Sequence, residues 1–202
     1  MKKLNYIIGI LLICCCFQVF AADAPPVALL KQVSAQMLAS LDKSKDKIRS
    51  DPQIIDNIVR RVLLPQVDVD GMARSVIGRD YWTQASSADR QEFKNQFVQL
   101  VIDTYSAPLS SYSDEKVEFY PVRNFSTADT RAQVNSQIIR SNGPAIPVSY
   151  RLIRLGNGWK VYDFSVEGIS MVQSFRSQFA GPLQQGGLAN LLKQLRARQR
   201  QS

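Results

Sequence analysis

Asp163 and Glu167 stand four residues apart and, joined by a tyrosine, could work as an acid and a base. Glu115 and Glu118 make a second carboxylate pair. Nothing in either spacing demands catalysis, and turn or surface roles account for all four. Asp68-Val69-Asp70-Gly71 opens like a calcium loop. The third oxygen ligand and the closing glutamate of an EF-hand are missing, so Asp68 is expected to cap a helix instead. Gly156-Asn157-Gly158 is not a phosphate loop, because no helix start or lysine follows it in the required place. Gly168-Ile169-Ser170-Met171-Val172 fails the nucleophile-elbow pattern at its last position, where valine replaces glycine. Asn124-Phe125-Ser126 fits a glycosylation sequon, which matters only in a eukaryotic secretory pathway.

The missing residues are as informative. The chain has no histidine, so the commonest general base and the commonest metal ligand are gone. Ser-His-Asp triads and cysteine–histidine zinc sites are excluded; carboxylate pairs and Ser–Lys arrangements are not. The three cysteines, Cys14, Cys15 and Cys16, lie together inside an apolar N-terminal run. Ile13 before Cys14 argues against a lipoprotein signal, which wants a small residue there. No cofactor and no metal is expected.

Lys2 and Lys3, the apolar stretch Tyr6 to Phe20, and the small residues of Val19-Phe20-Ala21 and Ala22-Asp23-Ala24 together form a secretory signal. The apolar run is too short for a comfortable membrane span, which needs roughly 20 residues. Residues 1–21 are therefore expected to be a leader, with 22–202 a single domain free of cysteine and of disulfides. The net charge is +8, or +6 once Lys2 and Lys3 are removed. For an exported basic protein, anionic lipid or an acidic protein face is the expected counterpart rather than nucleic acid.

The elements that would position any site follow from periodicity. Val27, Leu30, Ser34, Met37, Leu38 and Leu41 mark one face of a helix opened by Pro25 and Pro26, ahead of a solvated Lys43-to-Lys47 end. Asp51-Pro52 starts a second helix, which Pro65 stops. Asp68 caps a short third, which Gly78 ends. Ser86 to Asp89 resembles a capping box. Behind it Phe93, Phe97, Leu100, Val101, Tyr105, Leu109 and Tyr112 form the longest stripe, with Pro108 expected to kink or end it. From residue 116 the period becomes two, through Val117 and Phe119, then Ala132 to Ile138, Val148 to Leu152, and Lys160 to Val166. Asn142-Gly143 and Gly156-Asn157-Gly158 supply the turns of an antiparallel meander. A closing helical region carries Ile169, Val172, Phe179, Leu188, Leu191, Leu192 and Leu195, with breaks expected at Gly181-Pro182 and Gly186-Gly187. The result is an α+β domain, a helical layer packed on a curved four-stranded antiparallel sheet. Lys193, Arg196, Arg198 and Arg200 surround the last stripe, either as a solvated face or as an electrostatic handle for docking.

Two segments carry more specific information. One runs from Val62-Leu63-Leu64-Pro65-Gln66-Val67-Asp68 through Met72-Ala73-Arg74-Ser75-Val76-Ile77-Gly78-Arg79-Asp80-Tyr81-Trp82 to Phe93, Phe97 and Thr104-Tyr105. The other is Gly158-Trp159-Lys160-Val161-Tyr162-Asp163, then Val166 to Ser170, then Phe175-Arg176-Ser177-Gln178-Phe179. In order and spacing both resemble the MlaC, or toluene-tolerance, family of periplasmic phospholipid-binding proteins. The match covers most of the chain after the leader; the middle strands agree only in pattern.

The resemblance implies a Gram-negative periplasm and a lipid cavity between the helical layer and the sheet. It implies a carrier that shuttles phospholipid between outer and inner membranes and maintains outer-membrane lipid asymmetry. It also implies partners: an inner-membrane ABC transporter complex with an MCE-domain ring, and an outer-membrane lipoprotein–porin complex. On the elements that the resemblance places around the lipid, the apolar faces nominate Met72, Val76, Phe97, Val101, Tyr105, Val134, Val148, Tyr150 and Phe164 as lining. Two alternatives stay open: an enzyme on a similar cone-shaped α+β fold using Asp163 or Glu167, and a docking adaptor that carries no ligand.

Overall fold

The computed structural model describes residues 23–199 except 49, 52, 111–114, 142 and 157. The expected leader, Pro52, Tyr112, Asn142, Asn157 and Arg200 lie outside the described residues. Helix α1 spans Pro25–Ile48, with Pro26, Val27, Leu30, Val33, Met37, Leu41 and Ile48 buried. Val33 takes the centre of the face, and Ser34 and Leu38 flank it half-buried. The Lys43-to-Lys47 stretch stays helical while its charges point to water. Helix α2 spans Gln53–Val62 and buries Ile55 and Ile58. Asp51 Oδ1 accepts from Gln53 N at 3.0 Å, as a cap should.

Pro65 turns the chain through a short 3-10 segment, Leu64–Gln66. Asp68 then accepts from Gly71 N at 2.9 Å and starts α3, Val69–Ile77. Asp68 is thus the helix cap that its loop chemistry pointed to. Gly78 ends α3 with φ +86°, where a side chain would be strained, and opens a six-residue helix α4, Arg79–Gln84, that periodicity did not reveal. Ser86 Oγ accepts from Asp89 N at 3.0 Å and donates to the Asp89 carboxylate at 2.7 Å. This cap starts α5, Ser87–Ser110, which runs two residues past Pro108.

The sheet is an antiparallel meander with strand order β1 to β5: β1 Lys116–Phe119, β2 Arg131–Ile139, β3 Ile146–Leu155, β4 Gly158–Val166 and β5 Ile169–Ser170. It has five strands, not four. Glu167 and Gly168 both take positive φ (51° and 83°), which folds a two-residue turn and lays Ile169 back against Val166. Arg151 pairs with Asp163 and Leu152 with Val161, so Tyr162 is the extra residue of a bulge that bends β4. Val67 bridges Val161 in parallel, and Asp68 N donates to Val161 O at 2.9 Å, which ties the start of α3 to the sheet.

Helix α6, Met171–Gln199, continues through Gly181 and Pro182, correcting the break expected there. Its kink is at Gly186 and Gly187, whose backbone is not helical. Asn190 Nδ2 donates to Pro182 O at 2.9 Å across that kink and holds the two arms together. The helices cover one face of the sheet through one apolar cluster and pack on each other through a second. The larger joins the start of α1, α3, α5 and α6 to Val134, Leu152, Trp159 and Val161 of the sheet. The smaller joins Met37, Leu41 and Ile48 of α1 to Ile55 and Ile58 of α2, with Leu109 of α5 against it.

Candidate functional site

Helix α5 crosses from one cluster to the other. Phe93, Phe97 and Leu100 are buried in the larger cluster, Val101 and Tyr105 sit half-buried at its edge, and Leu109 belongs to the smaller one. Beside Tyr105, and packed against the larger cluster, is a row of side chains on the inner sheet surface. Phe119 of β1 is paired with Ser136 of β2, Ser136 with Val148 of β3, and Tyr150 of β3 with both Val134 and Phe164. The rings touch in two pairs: Phe119 to Tyr150 at 6.1 Å between centroids, and Phe164 to Tyr105 at 5.2 Å, edge to face. These four aromatics are half-buried, unlike the closed core beside them. Half-buried apolar surface along a seam between α5 and the sheet is surface that an apolar ligand can cover.

The nominated lining residues divide accordingly. Val101, Tyr105, Val134, Val148, Tyr150 and Phe164 come together along this seam, with Val134 and Val148 buried as its floor. Met72, Val76 and Phe97 are buried to 5 %, 0 % and 2 % exposure in the larger cluster, which also holds Val134. Phe97 stacks on Phe93 at 5.7 Å and meets Phe175 edge-on at 5.4 Å, so its ring is enclosed by other rings. Phe119 and Ser136 belong to the seam but were not nominated. The period-two pattern put Phe119 and Ser136 on alternating positions, and only the register shows them to be neighbours of Tyr150 and Val148.

Polar groups at the seam are few. Ser136, 2 % exposed, donates a long 3.3 Å bond to Val148 O, and the Tyr150 hydroxyl lies beside it. Burial pushes the Tyr150 phenol up from its ordinary range, partly opposed by Ser136. The Tyr105 phenol is raised by burial and by the negative charge of Asp163. Both are neutral hydroxyls at neutral pH. Asp163 itself, 3 % exposed, is engaged on both oxygens. Its Oδ1 accepts from Val172 N at 3.1 Å, and its Oδ2 accepts from Ser170 Oγ at 2.7 Å and from Arg151 at 3.4 Å. Ser170 Oγ accepts in turn from Gln173 N at 3.2 Å. Asp163 and Ser170 together cap α6 against β4, and Glu167 is an exposed turn residue. Among the described residues, no cluster of three carboxylates is placed to hold a metal.

The four basic residues nominated for docking are not equivalent. Arg196 of α6 grips Glu92 of α5 through two bonds, Nε to Oε1 at 2.5 Å and Nη2 to Oε2 at 2.8 Å. Arg196 is therefore a clasp between helices as well as a surface charge. Lys193 and Arg198 are exposed on the same helix. The Arg196 guanidinium holds the Glu92 carboxyl below the usual range. A carboxyl whose folded value is depressed contributes stability above its unfolded value, and loses it as pH falls through the folded one. Arg196→Gln is thus expected to lower the melting temperature slightly at pH 7 and not at all in acid below the folded Glu92 value, whereas Lys193→Gln leaves it unchanged at both. Thermal denaturation across pH checks this.

Residues 31–197 match the profile of the MlaC protein family. The chain is 28% identical over 180 residues to the toluene tolerance protein ttg2D of Pseudomonas putida, covering 89% of this chain and 83% of that one. It is 28% identical over 177 residues to the intermembrane phospholipid transport system binding protein MlaC of Haemophilus influenzae, covering 86% and 82%. A phospholipid-binding protein from Ralstonia solanacearum, solved in complex with a phospholipid, superposes with TM-score 0.81 at 29% identity, over 89% of this chain and 98% of that one. With that match over most of its length, and a fold shared with the phospholipid-bound structure, this chain belongs to the MlaC protein family.

Proposed function

We propose that this protein is a periplasmic phospholipid carrier, which moves lipid between the outer and inner membranes and maintains outer-membrane lipid asymmetry without catalysing a reaction. The observation that carries this is the half-buried aromatic row Phe119, Tyr150, Phe164 and Tyr105 along the seam between α5 and the sheet. The phospholipid bound to the Ralstonia solanacearum relative supports the same ligand class. The physics gives such a protein a task. At ~0.8 kcal/mol per methylene, exposing one acyl chain of about 15 methylenes to water costs roughly 12 kcal/mol. A seam that covers the chains removes most of that cost. Asp163, with both oxygens held in the α6 cap, lends no support to the catalytic alternative.

Residues 1–21 are the leader and 22–202 the single lipid-binding domain in this reading. Among the described residues no helix is long and apolar enough to cross a membrane. The carrier would exchange lipid with an inner-membrane ABC transporter complex bearing an MCE-domain ring and with an outer-membrane lipoprotein–porin complex. Lys193, Arg196, Arg198 and Arg200 would assist docking. Protein purified from the periplasm and extracted with organic solvent is expected to release phospholipid in near-stoichiometric amount. A folded, lipid-free protein from gently handled cells would overturn the carrier reading. N-terminal sequencing of the same preparation should find cleavage after Ala21, Ala22 or Ala24. An intact Met1, or a lipid on one of the three cysteines, would refute the leader.

A further inference from the structure

The sheet wall of the seam is apolar except at one point. Ser136 is 2 % exposed and Tyr150 is paired beside it through Val134 and Val148, in a wall otherwise made of Val134, Val148, Phe119 and Phe164. Two hydroxyl groups bring two hydrogens to this spot. Ser136 Oγ gives its hydrogen to Val148 O at a long 3.3 Å, and the Tyr150 hydroxyl lies beside it. A buried polar group is costly unless it is paired, and an apolar ligand laid over this wall would remove the water that otherwise completes the pairing. The wall therefore suits a ligand that presents a hydrogen-bond acceptor beside its apolar chains. A diacylglycerophospholipid has such groups in its two ester carbonyls, and its dialkyl ether counterpart lacks them.

We propose that Tyr150, supported by Ser136, donates a hydrogen bond to an ester carbonyl of the bound phospholipid and so sets a preference for ester-linked over ether-linked lipid. This rests on the carrier reading and refines it. Tyr150 suits the role because its ring packs on Phe119 while its half-burial leaves the side chain reachable from the seam. The neutral phenol is a donor throughout the physiological range. Ser136 is a positioning residue: fixed to Val148 O of the neighbouring strand, it lies beside the Tyr150 hydroxyl and orients it.

The test loads the protein from vesicles holding equal amounts of dioleoyl phosphatidylethanolamine and its dioleyl ether analogue. Native mass spectrometry then reads the ratio of the two lipid-bound species. A hydrogen bond of ordinary net strength predicts an ester-to-ether ratio of about three- to tenfold for the unmodified protein. Tyr150→Phe, which keeps the ring, should bring the ratio near unity. Loss of packing alone would weaken both lipids and leave the ratio in place. A ratio near unity in the unmodified protein overturns the ester contact while leaving the carrier reading intact. An unchanged high ratio in Tyr150→Phe overturns the assignment to Tyr150. Binding of neither lipid overturns the carrier reading, and this inference with it.

Discussion

Tyr150→Asp should give a folded protein that leaves the cell without phospholipid. The position is half-buried on the inner face of β3, next to Phe164 of β4 and Phe119 of β1. A carboxylate there must be stripped of water or protonated before an acyl chain can lie against it, a penalty of several kcal/mol that the lipid contact would have to meet. With the seam empty, water can reach the same carboxylate, so the cost to the fold is much smaller. Val148→Asp should empty the seam too, with a larger loss of stability because Val148 is only 6 % exposed. Lipid content measured beside circular dichroism separates the outcomes. Folded Tyr150→Asp protein with undiminished lipid would show that β3 does not face the ligand, and unfolding of both variants would mark the position as ordinary core.

The second large effect runs the opposite way. Phe97→Ala is expected to cost about 3–5 kcal/mol of stability while the surviving folded protein keeps its lipid. Phe97 is enclosed by Phe93 and Phe175, and Phe93 and Phe175 each pack on Phe179, so α5 and α6 are joined through four rings. Removing one ring leaves a void that neither helix can close, since each is pinned by the others. Denaturant melts and lipid extraction on the same sample decide it. Loss of lipid with little loss of stability would place Phe97 on the seam rather than in the core.

The contrast between these residues shows where sequence reading stops. Phe97 and Tyr105 lie on one stripe of α5 and carry the same periodic signal. What divides them is tertiary: Phe97 meets α6, while Tyr105, two turns on, meets β4 at the half-buried edge of the cluster. Periodicity reports which face turns inward, not whether the inside is filled. Met72 and Val76 were nominated for the same reason and lie in the packed cluster. Features with local chemistry were legible: the caps at Asp51, Asp68 and Ser86, the kink at Gly186-Gly187, and the four longer strands. The short elements were not. Helix α4 has six residues and β5 two, too few for any period to declare itself, and both depend on positive φ at neighbouring positions, Gly78, Glu167 and Gly168. Arg196 appeared only as one charge in a basic tail, because its partner Glu92 lies 104 residues away in the sequence.

In a working carrier an acyl chain lies along the seam between α5 and the inner face of the sheet. Photo-crosslinking tests it most directly. A phospholipid carrying a diazirine within one acyl chain is loaded into the protein, irradiated, and the adducts are mapped by mass spectrometry of the digested chain. Adducts are expected on the peptides that carry Val101 and Tyr105 of α5, Tyr150 of β3 and Phe164 of β4, and to disappear in Tyr150→Asp. Adducts confined to the exposed face of α6 around Lys193, or spread evenly over the surface, would contradict a lipid held in the seam.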